Sequence, residues 1–106
     1  MNNNEFIVRG NIIHNNKTRR LTVLGQLQGN GVAKISAALC SEKDAFSKSR
    51  SEEIIKYRMS NLNKRRFYEV KAADMEQLKD ETIMQFHQLV ENPEEFFHTF
   101  PHDRRK

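Results

Sequence analysis

The chain has 106 residues, 37% of them hydrophobic and 30% charged, with no tryptophan. That suits a single domain (1–106) with one core and leaves no room for a large pocket as well. Its apolar runs are only a few residues long, which speaks against a membrane-spanning helix. The polar start Met1-Asn2-Asn3-Asn4-Glu5 predicts no secretory leader. A single cysteine, Cys40, excludes an internal disulfide and points to a soluble protein of a reducing cytoplasm.

The net charge of +4 hides a split. Residues 1–70 carry 13 Lys/Arg against 6 Asp/Glu, a balance of +7, whereas residues 71–103 carry −6 and the tail Arg104-Arg105-Lys106 adds +3. A basic front half joined to an acidic back half concerns partners rather than fold.

In chain order, residues 5–13 alternate with period two, Phe6, Val8 and Ile12 against Ile7, Arg9 and Ile13, which predicts a strand. A turn over 14–18 is expected from Asn15-Asn16, since asparagine tolerates left-handed backbone. Residues 19–28 read as a second strand with Leu21, Val23 and Leu27 inward. Gly29-Asn30-Gly31 then signals a hairpin, and residues 32–40 a third strand with Ala33, Ile35, Ala37 and Leu39 inward.

Ser41 with Asp44 makes a capping box that predicts a helix from 42, and Ser49-Arg50-Ser51-Glu52 repeats the signal. Ile54, Ile55, Met59 and Leu62 form its apolar stripe. Residues 64–71 read as a fourth strand, with Tyr68 and Val70 on one face and Phe67 on the other. Asp74 with Gln77 opens a helix to Glu91, with Met75, Leu78, Thr82, Phe86 and Leu89 as its stripe and Ile83 and Val90 widening it. Asn92-Pro93-Glu94-Glu95 stops that helix and starts a short one holding Phe96, Phe97 and Phe100. The expected fold is α+β, in the order β-β-β-α-β-α-α: a four-stranded, mainly antiparallel sheet with helices packed on one face.

The residues do not form a catalytic or metal centre. His14, His87, His98 and His102 are scattered, and no Cys-x-x-Cys exists for zinc. Cys40 reads as a small residue at a strand end, and the pairs Glu52/Glu53 and Glu94/Glu95 diverge by about 100° on a helix rather than converging. The expectation is a binding protein without enzyme activity, cofactor or metal.

The basic clusters point to phosphate instead. Lys17, Arg19 and Arg20 lie at the first hairpin, Lys43, Lys48, Arg50, Lys56 and Arg58 along the first helix, and Lys64, Arg65 and Arg66 before the fourth strand. Cations gathered this way gain affinity for nucleic acid by counterion release. Phe67 and Tyr68 beside them have the chemistry to stack bases. The Lys64–Arg66 and Lys17–Arg20 clusters are expected on one positive surface. The competing reading is a host protein as partner, held by the acidic C-terminal helices or by Phe96 and Phe97.

The run Cys40-Ser41-Glu42-Lys43-Asp44-Ala45-Phe46-Ser47-Lys48, with Ile54 and Arg58 after it, resembles a pattern in small, mostly uncharacterised proteins of tailed bacteriophages. There a strand ending in Cys-Ser-x-Lys-Asp-x-Phe leads into a basic helix. Ser51 and Tyr57 replace glycines of that pattern, and Glu52 replaces a basic residue. The resemblance implies an accessory role in the host cytoplasm. That role is either binding to nucleic acid or a ribonucleoprotein, or anti-CRISPR-like inhibition of a host defence protein by steric occlusion.

Overall fold

The computed structural model describes residues 4–39, 48–60 and 67–99, apart from the side chains of 48, 49 and 97–99. The elements are β1 (Glu5–His14), β2 (Lys17–Leu27), β3 (Val32–Leu39), α1 (Lys48–Ser60), β4 (Tyr68–Lys71), α2 (Met75–Glu91) and α3 (Glu94–Thr99). The strands pair antiparallel in the order β1-β2-β3-β4. This is the α+β order that the sequence predicts.

The two hairpins turn differently. Asn15 and Asn16 sit at φ 54° and 63° and close β1 onto β2 with the pair His14–Lys17. Two consecutive left-handed residues make the turn whose twist matches the flanking strands. A β-branched residue resists that backbone, so Asn16→Val is expected to lower stability by about 1–2 kcal/mol, read as a lower urea midpoint at unchanged slope. The Asn-Gly signal does mark a hairpin, but as a wider loop. Gln28 to Gly31 separate β2 from β3, with positive φ at Gly29 and Gly31 and a Gln28 N–H to Val32 O bond of 2.9 Å.

Directly opposed residues of antiparallel strands share a face. The register therefore places Gly10, Ile12, Leu21, Val23, Gly25, Ala33, Ile35 and Ala37 on one side. There α2 and α3 cover them: Ile12, Leu21, Val23, Ile35, Ala37, Leu89 and Phe96 form one cluster, and Ala33, Ala72 and Leu78 a second. The close seat comes from two strand glycines. Gly10 faces the Phe86 ring, and Gly25 faces Thr82 and Leu78. The Asp74 carboxylate caps α2 by accepting from Gln77 N at 2.9 Å, while the Gln77 side chain accepts from Ala73 N at 2.7 Å.

The expectation that the helices share one face fails for α1. Leu24 and Ala38, on the opposite side of β2 and β3, pack with Ile55 and Met59, flanked by Ile7 and Ile54. The cause lies in β2 and β3, which carry apolar residues on both faces, so one helical layer leaves Leu24 and Ala38 uncovered. Two polar ties set the direction of α1. Arg9 Nη2 lies 2.6 Å from Glu52 Oε2, and Lys56 Nζ 3.6 Å from Glu5 Oε2, so the helix runs antiparallel to β1. Glu5 is buried, and it also accepts from Gln26 Nε2 at 2.8 Å.

Candidate nucleic-acid interface

With helices on both sides, the sheet divides the charge of the described residues unequally. The α2–α3 side carries Asp74, Glu76, Asp80, Glu81, Glu91, Glu94 and Glu95 against Lys79 in its helical layer and Lys17 and Arg19 on its strands. The α1 side carries Arg50, Lys56 and Arg58 on the helix, and Arg9, Arg20, Lys34 and Lys71 on the strands beneath. Its acids are Glu5 and Glu52, engaged by Gln26 and Lys56 and by Arg9, and the exposed Glu53 and Glu69.

On this side α1 packs over β3 and β2, and no other described element covers the far end of the β1–β2 hairpin. Register places Asn11, Ile13, Thr18 and Arg20 there, all exposed, with Ile13 at 67%. They form a shelf of open sheet beside a basic helix, with Arg9 at its inner edge. At the other end of α1, Gln26, Lys34, Lys56, Met59 and Ser60 line a depression of about 210 Å3. Its cations have roles within the fold. Lys34 Nζ donates to Met59 O at 3.4 Å and sits 4.7 Å from the centre of the Phe67 ring, and Lys56 faces Glu5.

The predicted residues divide as follows. Arg20 and Arg50 are exposed on the α1 side. Strand alternation sends Arg19 and Lys17 to the opposite face, so the first basic cluster is split across the sheet. Lys48 opens α1, and its side chain is outside the described part. Lys43, Lys64, Arg65 and Arg66 lie outside the described residues, as does Cys40, and so do the single-surface expectation and most of the phage-like run.

The aromatic expectations change more. Phe67 is buried at 8%, under the Lys34 amine, and Tyr68 is half-buried with its hydroxyl donating to Glu95 at 3.3 Å. Neither offers a free ring to a base. Phe96, expected as a partner contact, is a core residue at 4% exposure, packed with Ile12 and Leu89. Its spacing behind Pro93 aims it at the sheet. The Phe97 side chain lies outside the described residues.

Arg58, expected with Lys56 among the phosphate-facing cations of the first helix, is instead 8% exposed and donates from Nη1 to the Ala37 carbonyl. Sequence reasoning missed the shelf, whose signal was Ile13 alternating in phase with Ile7 and Arg9. Among the described residues no three His, Cys, Asp or Glu side chains gather at one point, and no helix is long and apolar enough to cross a membrane. Compared with known proteins, the chain matches no family model, no curated protein and no solved structure.

Proposed function

We propose that the chain is a non-enzymatic accessory protein that binds nucleic acid, alone or in a ribonucleoprotein, through the α1-bearing face. The observation that carries this reading is the partition of charge by the sheet. A polyanion meets the exposed Arg20, Arg50 and Lys71 on one side, and on the other seven carboxylates against Lys17, Arg19 and Lys79. The described shelf residues Asn11, Ile13, Thr18 and Arg20 include no ring, although Tyr57 on α1 exposes one, and the shelf therefore suits contact with the phosphate backbone. Such contact positions a strand without reading its sequence.

The test is fluorescence anisotropy with mixed-sequence DNA and RNA at several salt concentrations. Affinity is expected to fall log-linearly with salt, by about 0.7–0.9 in slope for each phosphate contacted. Arg20→Glu with Arg50→Glu, or Arg65→Ala with Arg66→Ala, is expected to weaken binding about tenfold or more on every sequence and to flatten the slope. Asp80→Lys is expected not to weaken it. Undetectable binding at low salt, together with a protein partner that survives nuclease treatment of a bacterial lysate, would overturn the reading in favour of the protein-directed inhibitor.

A further inference from the structure

The outer edge of β1 has no strand beside it among the described residues, although β1 is ten residues long. Which of its backbone groups face outward follows from one bond. Leu27 N donates to Asn4 O at 2.9 Å, so residue 4 points its polar groups toward β2. The register runs without a break from Glu5–Gln26 to His14–Lys17. Alternation then turns the N–H and C=O groups of Glu5, Ile7, Arg9, Asn11 and Ile13 outward. Edges that avoid pairing carry proline, a bulge or charged side chains, lysine above all; β1 has no proline, lysine or bulge, and its two charges, Glu5 and Arg9, are engaged within the fold by Gln26 and Lys56 and by Glu52.

We infer that this edge pairs with the same edge of a second copy, antiparallel, about a twofold axis at Gly10. The side chains select that register. Centring on Arg9 sets two guanidinium groups opposite each other. Centring on Gly10 places Arg9 opposite the partner's Asn11, and Ile7 opposite the partner's Ile13. The 67%-exposed Ile13 is then covered twice over, each time against a residue already packed beside α1.

The other face of the sheet agrees. Lys79 Nζ stands 5.7 Å from the centre of the Phe6 ring, and the Phe86 ring meets Gly10. Ile83, four residues after Lys79 and three before Phe86, therefore stands on the β1 side of α2, where it is 38% exposed. Both faces of the β1 edge thus carry an exposed isoleucine close to the axis. Since α2 lies over β1 and β2, two such helices come to about 10 Å apart, a normal packing distance.

Such an axis is perpendicular to the sheet, so both α1 helices lie on the same side of one eight-stranded sheet. The two shelves join into a trough between helix axes four strand spacings apart, roughly 19 Å. The inference does not depend on the nucleic-acid reading and is tested without nucleic acid.

The experiment is sedimentation velocity of the full chain in reducing buffer over a concentration series. A dimer is expected. Ile13→Lys changes an exposed residue and is expected to weaken the dimer at least about tenfold. Asn11→Pro removes an outward N–H, which an edge strand tolerates, and is expected to leave a monomer with a native unfolding transition. Tyr57→Ser, exposed on α1, is expected to leave the dimer unchanged. A wild-type chain that stays monomeric to roughly 100 µM overturns the proposal. So does a dimer that Ile13→Lys leaves intact.

Discussion

Gly25→Ala is expected to lower the stability of the fold by about 2–3 kcal/mol, a large loss for one added methyl group. A β-carbon at Gly25 would lie 2.3 Å from Thr82 Oγ1 and 2.8 Å from Leu78 Cδ1. Both neighbours are buried, and Thr82 Oγ1 is held by its 2.7 Å bond to Leu78 O, so neither swings aside. Relief requires α2 to lift from β2, which opens the Ala33–Ala72–Leu78 cluster. Gly10 makes the comparison. Its added β-carbon would meet the tip of the half-buried Phe86 ring at 2.6 Å, and a ring can pivot. Gly10→Ala is expected to cost less than half as much. Urea unfolding of both variants checks the order, and adding Thr82→Ala should restore part of the Gly25 loss but none of the Gly10 loss.

Arg58→Ala is the second large effect, about 3 kcal/mol. Pairing with β4 covers β3 only from Val32 to Ile35, so the strand continues through Ser36–Leu39 without a neighbour on that side among the described residues. Arg58 fills the gap by donating to the Ala37 carbonyl. Removing it leaves a buried acceptor without its donor and a void beside Ile55 and Met59. Arg58→Met keeps most of the volume and isolates the lost bond, with an expected cost of about 1–2 kcal/mol. A guanidinium on an amphipathic helix ordinarily faces water, so a Met variant as stable as the parent would deny it this strand-capping role.

Strand order and the α2 stripe were legible because period two and the Asp74–Gln77 cap are local signals. Placing α1 was harder, for a physical reason. Its own stripe, Ile54, Ile55 and Met59, does not say which side of the sheet it covers. That information sits in Leu24 and Ala38, which interrupt the alternation of β2 and β3 and demand a second apolar layer. The site suffered from the same ambiguity. Arg19 and Arg20 look like one cluster in sequence, but strand alternation separates them by the thickness of the sheet. Phe96 stands in a Phe-rich stretch behind Pro93, and the sequence there does not say which ring is buried. Only the tertiary contact with Ile12 and Leu89 shows that it closes the core.

Because the α2–α3 side carries an excess of acids and the α1 side an excess of cations, the described part of the chain has a dipole component directed through its layers. In the field of a polyanion such a body feels a torque before it makes any contact. Approaches with the acidic helices leading are turned round or repelled, so a larger share of encounters arrive correctly oriented. The gain lies in arrival rate, and it fades as salt shortens the reach of the field to about 10 Å. On an anionic surface the same dipole arranges the chains as an oriented layer, with α1 against the surface and the carboxylates of α2 and α3 outward. The coated surface therefore stays negative, and it turns its acidic side toward whatever arrives next.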